Sequence, residues 1–302
     1  MKIQEALDEF LLDGQARRLS PKTLGWYEDM LHQARDFLEE EMQIESVERV
    51  RPRDLRQFIA KLDEQGLRPC SVSAHFRAVR AFFNWLAEES IVSDNPVRRL
   101  SPPRVPRRIP PSIPPDDVRR LIKACSDTPM GARNRAIIVM LWDTGLRVGE
   151  LVGLTLESLR LDEGYVVVIG KGDKEREVPI GRVAVRYLKK WLDVRPVGEG
   201  CDHVFLNLRN HESLRRRGVS LMLKRIQQRA GVEKRIYPHL FRHSFARQYL
   251  LGGGDPITLQ QILGHSSQEM VKRYVRFTAQ ELVCQHRRSS PGDRVFGAIS
   301  SV

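Results

Sequence analysis

The chain is poor in cysteine and has no long apolar run. Its four cysteines, Cys70, Cys125, Cys201 and Cys284, stand far apart, so neither a CxxC metal site nor a disulfide framework is suggested and reduced structural thiols are expected. No apolar stretch approaches the roughly 20 residues that a bilayer-spanning helix needs. The opening Met1-Lys2-Ile3-Gln4-Glu5 lacks the basic-then-apolar layout of a signal peptide. A soluble cytoplasmic chain without a membrane partner is expected. Acidic residues are in the minority: 38 Asp and Glu face 50 Lys and Arg, a formal net charge of +12 over 302 residues. That surplus points to a polyanion, nucleic acid before all. With 41% hydrophobic residues the chain can bury a sizeable core, so global disorder is excluded, and its length suggests about two domains.

The charge is uneven. The first hundred residues carry a slight acidic excess, so the whole positive surplus lies after them. Between Asn95 and Pro115 runs NPVRRLSPPRVPRRIPPSIPP, with five arginines among prolines. Prolines withhold backbone donors and like charges repel, so an extended, exposed linker is expected over 96–115. It divides a domain at 1–95 from one at 116–302. The first reads as helical throughout: Ile3, Leu7, Phe10 and Leu11 share one stripe, Ser20-Pro21 and Pro52 open further helices, and Ser71 to Glu89 carries Val72, Phe76, Val79, Phe83 and Leu86. Such helices make a small bundle, with Trp26, Phe82 and Trp85 in its core. In the second, helices begin at Pro115 and run over about 135–142 and 147–154. Two strands, Tyr165–Ile169 and Arg176–Ile180, flank the turn Gly170-Lys171-Gly172-Asp173-Lys174. Helices follow at about 181–194, 217–230, 238–251, 256–263 and 267–275. The fold class is mainly α with a small antiparallel sheet.

Four segments carry chemistry. In Thr144-Gly145-Leu146-Arg147-Val148-Gly149-Glu150-Leu151 a glycine turn sets Arg147 at a helix start, where its fork of donors joins the positive end of the helix dipole and suits a phosphate. Lys171 sits at a hairpin tip between Gly170 and Gly172. The spacing is not that of a P-loop; such a lysine either enters a nucleic-acid groove or protonates a leaving alkoxide. In Pro238-His239-Leu240-Phe241-Arg242-His243 the i, i+3 and i+4 positions bring His239, Arg242 and His243 to one helix face. His-x-x-x-His has zinc-ligand spacing, but the metalloprotease pattern wants Glu where Leu240 stands. Leu263-Gly264-His265 is followed nine positions later by Tyr274, flanked by Lys272, Arg273 and Arg276. That positive field is expected to favour the phenolate.

Taken together, Arg147, Lys171, His239, Arg242, His265 and Tyr274 occur in the order and local contexts of the tyrosine recombinases, the phage integrase family. The chain resembles the Xer-type and compact integrase members over essentially its whole length. The resemblance implies a helical amino-terminal domain that clamps DNA and a catalytic domain after it. It implies site-specific recombination, in which a tyrosine attacks a DNA phosphodiester to leave a 3′-phosphotyrosyl linkage and a free 5′-hydroxyl. Covalent catalysis conserves the phosphoester energy, so no ATP, cofactor or obligatory metal is expected. Arg147, Arg242 and His265 are assigned to the phosphate oxygens, Lys171 to the departing 5′-oxygen, His239 to a base or orienting role and Tyr274 to the attack. Glu150 reads as structural, holding Arg147, and His243 as packing or support. Arg276 departs from the histidine that many relatives carry there.

The partners implied are double-stranded recombination sites and a homotetramer on synapsed DNA, with a related recombinase or an accessory protein as a further possibility. The tail after Thr278, with Leu282, Val283, Val295, Phe296 and Ile299, is expected to pack on a neighbouring subunit. Two other classes compete: a type IB topoisomerase, which relaxes supercoils as a monomer, and a catalytically silent DNA-binding protein. The helical first domain and the tail favour recombination over the former; a complete set including a nucleophile argues against the latter.

Overall fold

The structure is a computed structural model that describes residues 1–106, 110–170, 174–196, 201–264, 269–275, 277 and 279–296, the side chain of Glu269 excepted. The chain divides into two compact units, Met1–Arg107 and Arg108–Val302.

The first unit is helical. Helix α1 (Ile3–Ala16) buries Ile3, Ala6, Leu7 and Phe10 on the stripe that the sequence marks. Helix α2 (Pro21–Asp36) starts where Ser20 Oγ accepts the Thr23 N–H at 3.2 Å, with Pro21 in the first turn. One π-helical turn, Phe37–Glu41, extends it. Helix α3 (Pro52–Glu64) is stopped at Gly66, whose φ of +77° suits glycine. Helix α4 (Pro69–Glu88) packs Phe82 and Trp85 edge-on against Phe10, at 5.6 and 5.5 Å between centroids. Trp26 is only half-buried and carries the Arg77 guanidinium 5.7 Å over its ring.

The second unit is built around α6 (Pro129–Thr144), whose residues Ala136 to Leu141 are all buried. Helix α5 (Pro115–Lys123) precedes it and α7 (Val148–Gly153) follows. A three-stranded antiparallel sheet comes next, β1 (Leu159–Arg160), β2 (Tyr165–Ile169) and β3 (Glu175–Pro179), in that order. Val166 pairs with Val178 and Val168 with Arg176. Then come α8 (Arg182–Leu192), α9 (Arg216–Arg229), α10 (Pro238–Leu251), α11 (Pro256–Leu263), the single turn α12 (Glu269–Lys272), α13 (Ala279–Ser289) and α14 (Pro291–Phe296). Helices α8 and α10 pack on α6, and the sheet and α11 meet through β3. The mainly α class with a small antiparallel sheet is what the structure displays; the strand β1 is an addition to the expected hairpin.

The expected linker is not exposed along its length. Asn95, Pro96 and Val97 are buried in the first unit, where Asn95 Oδ1 caps the 3-10 turn Pro96–Arg99 through the Val97 amide. Ile113 is fully buried in the second unit, its amide donating to Ser244 Oγ at 2.8 Å. Proline runs fix backbone direction but leave apolar side chains free to enter a core. The four cysteines are free. Among the described residues no helix is long and apolar enough to cross a membrane.

Candidate active site

Helix α6 ends at Gly145, which takes φ +62° and leaves no room for a side chain: a Cβ would come within 2.4 Å of Phe245 Cδ1. The chain turns there, and Arg147 becomes the residue that opens α7. Its amide donates to Glu150 Oε2 at 2.8 Å, and its Nη1 to Glu150 Oε1 at 2.7 Å. One carboxylate three residues on thus caps the helix and grips the guanidinium. The Arg147 side chain remains 41% exposed, so part of its fork faces outward.

Glu150 is buried, and a second arginine reaches it. Arg176 of β3 forks the carboxylate, Nη1 to Oε1 at 3.0 Å and Nη2 to Oε2 at 2.9 Å. Burial alone would push the Glu150 carboxyl up. Hydrogen bonds from Arg176, then from the amide and guanidinium of Arg147, outweigh that and hold it below its ordinary value. Two cations share one anion, leaving the cluster with a net positive charge.

Arg242 is 2% exposed. It donates Nη1 to Gly145 O at 2.9 Å and Nη2 to Leu263 O at 2.6 Å, tying the ends of α6 and α11. Burial, and next the charge of Arg147, pull its pKa down to about 10, so it stays a cation at neutral pH. His239 lies in the first turn of α10, with an exposed ring. Desolvation by the surrounding protein, then Arg242 and Arg147, lower its pKa from the ordinary histidine value. Its ring meets that of His243 edge-on at 4.4 Å.

Arg147, His239 and Arg242 line one cleft of about 430 Å³, together with Glu150, Gly170 and Arg216. Arg216, at the start of α9, packs its guanidinium over Gly149, where a Cβ would lie 2.7 Å from Nη2. Tyr274 is not in the cleft wall. Its side chain is buried, and its hydroxyl lies 2.7 Å from His243 Nδ1. The expected phenolate is overturned: burial raises the Tyr274 pKa, and the opposing charges of Arg242 and Arg273 do not cancel it. Lys171 and His265 lie outside the described residues; their neighbours Gly170 and Gly264 stand at the cleft edge and at the end of α11. Among the described residues no group of three or more His, Cys, Asp and Glu is arranged to hold a metal ion.

Sequence reasoning missed two arginines, Arg176 and Arg216. Strand alternation holds a signal for the first: Arg176 shares a face of β3 with the buried Val178. No spacing rule pairs His243 with Tyr274, 31 residues later.

Residues 111–281 match the phage integrase family, and residues 7–90 match the phage integrase N-terminal SAM-like domain. Tyrosine recombinase XerC of Salmonella typhi is 34% identical over 278 residues, covering 92% of each chain. The crystal structure of XerA recombinase is 27% identical with a TM-score of 0.54, covering 95% of this chain and 99% of that one. The XerH site-specific recombinase bound to palindromic difH substrate shares the fold at a TM-score of 0.71 and 22% identity, covering 95% and 84%. The chain belongs to the phage integrase family and is a tyrosine recombinase, an enzyme of site-specific DNA recombination.

Proposed function

We propose that Tyr274 attacks a phosphodiester of a double-stranded recombination site, giving a 3′-phosphotyrosyl linkage and a free 5′-hydroxyl that later reseals a new junction. The forming five-coordinate phosphorus carries extra negative charge on its equatorial oxygens. Arg147 and Arg242 bind those oxygens and His265 adds a donor; removing one such preorganised donor costs about 10²–10³ in rate. Lys171 protonates the departing 5′-oxygen. His239 is base or orienting partner for Tyr274, acting through His243, whose ring touches both.

The observation that carries this reading is the meeting of Arg147, Arg242 and His239, drawn from two distant segments, on one cleft. The +12 charge supports salt-sensitive grip on DNA around it. The same reading assigns residues 1–95 to DNA clamping and 116–302 to catalysis, in a homotetramer on paired sites, with the tail seated on a neighbouring copy. Supercoil relaxation by a monomer and silent DNA binding fall behind it, because the relatives matched end to end are recombinases.

A nicked suicide substrate carrying the cognate site tests the assignment. The wild-type chain becomes covalently linked to DNA, whereas Tyr274→Phe binds and forms no adduct. An adduct that persists in the variant removes Tyr274 as nucleophile.

A further inference from the structure

Three consecutive carbonyls at the end of α11 each accept a hydrogen bond from a different arginine. Arg176 Nε reaches Ile262 O at 3.0 Å, Arg242 Nη2 reaches Leu263 O at 2.6 Å, and Arg147 Nη2 reaches Gly264 O at 3.4 Å. The last carbonyls of a helix lack intrahelical donors and carry partial negative charge, so cations gather there. Here they do so in register, one arginine per residue, immediately before position 265.

Of the three, Arg176 is the one that does not line the cleft. Each of its three nitrogens donates to a protein oxygen: Nη1 and Nη2 to the two oxygens of Glu150, Nε to Ile262 O. Its side chain is 14% exposed. The stem also passes so close to Gly264, at φ +60°, that a Cβ there would lie 3.0 Å from Arg176 Cδ. Arg176 thus stands outside the cleft lining, yet it bonds the carboxylate that holds Arg147 and packs on the turn that leads into residue 265.

We propose that Arg176 is a positioning residue for catalysis, resting on the assignment of Arg147 and Tyr274 made above. By fixing both oxygens of Glu150 it sets the angle at which Arg147 meets the phosphate. By holding Ile262 O and the Gly264 turn it keeps the end of α11 in register with the hairpin β2–β3. A guanidinium fork is needed, because a lysine offers a point charge that cannot bridge two carboxylate oxygens and a carbonyl at once.

A double-mutant cycle in single-turnover cleavage of the nicked suicide substrate tests this. Arg176→Gln is expected to slow adduct formation about 10- to 100-fold while gel-shift affinity stays within about twofold, since misplacement of a catalytic group by about an ångström has that scale of effect. In an Arg147→Ala background the same substitution is expected to cost less than about threefold, because its main target is gone. Equal loss in both backgrounds, or unchanged cleavage in the first, overturns the proposal. Should Arg176→Gln lose DNA binding together with its circular dichroism, Arg176→Lys replaces it in the cycle: it keeps the charge, and the same two outcomes decide. An adduct in Tyr274→Phe would sink the catalytic reading instead, so the two failures are told apart.

Discussion

The Tyr274 hydroxyl and His243 Nδ1 are 2.7 Å apart, and the directions of their pKa shifts keep both groups neutral at pH 7. Burial, then the charges of His239, Arg242 and Arg273, hold the His243 pKa down to about 4, while burial raises that of Tyr274. The residue proposed as nucleophile is therefore a protonated phenol parked on a neutral imidazole, not a free phenolate. On the proposed role that proton has to leave before attack, and His243 Nδ1, whose ring meets that of His239, stands within hydrogen-bond distance of it.

The same pair makes stability depend on acid. Unfolded His243 titrates near its ordinary 6.5 and folded His243 near 4, so between those values the unfolded chain binds a proton that the folded chain refuses. His243 thus contributes nothing to the slope above pH 6.5, and stability falls as pH drops from 6.5 to 4, by on the order of 3 kcal/mol. His239, also lowered, adds in the same direction. Hydrogen exchange of α10 amides at pH 7.5 and 4.5 measures the loss, and His243→Asn should shrink it. An undiminished loss in the variant would assign the effect to other groups.

Gly145→Ala is expected to destabilise the second unit by about 2–4 kcal/mol, adding a left-handed backbone penalty to an overpacking one. Phe245 and Leu263 both stand against the new methyl, and the Gly145 carbonyl that accepts Arg242 would shift with them. Urea unfolding of the whole chain reads the stability, and the suicide substrate reads the site. A loss under about 0.5 kcal/mol would mean that the turn relaxes freely.

Lys171→Ala should cleave an ordinary site poorly and a site with a 5′-bridging sulfur at close to the wild-type rate, since a thiolate leaves without an acid. Comparable defects on both substrates would make Lys171 a binding residue only.

Truncation after Ser290 removes Val295 and Phe296, each about two-thirds exposed, but leaves α13 docked on the end of α10 through Gln285 and the carbonyls of Leu250 and Leu251. Binding of a single site should survive, and cooperative filling of paired half-sites should weaken. Gel-shift titrations that keep their cooperativity would remove the tail from the proposed subunit contact.

Local chemistry made most elements readable. Ser20-Pro21 announces α2 because a hydroxyl cap and a donor-less first residue suit a helix start, and the glycines around Lys171 stand in sequence between the paired strands β2 and β3. Arg147, His239 and Arg242 were legible because each sits in a short local pattern. What escaped was set by tertiary packing. Arg176 is recruited by a carboxylate 26 residues away. The two-residue strand β1 exists only through its partner β2. The sign of the Tyr274 shift turns on burial, which neighbouring basic residues in the sequence do not reveal. The ends of the proline-rich segment were misread because Val97 and Ile113 find cores that composition does not show.

The bond from the Ile113 amide to Ser244 gives that segment a mechanical meaning. Ser244 Oγ in turn donates to Leu240 O, and it sits two residues past Arg242, within the same turn of α10. Ile113 is thus moored to the helix that presents His239 and Arg242, rather than to a peripheral one. The backbone at Ile113 is thereby tied to α10 within one helical turn of the guanidinium that joins the ends of α6 and α11.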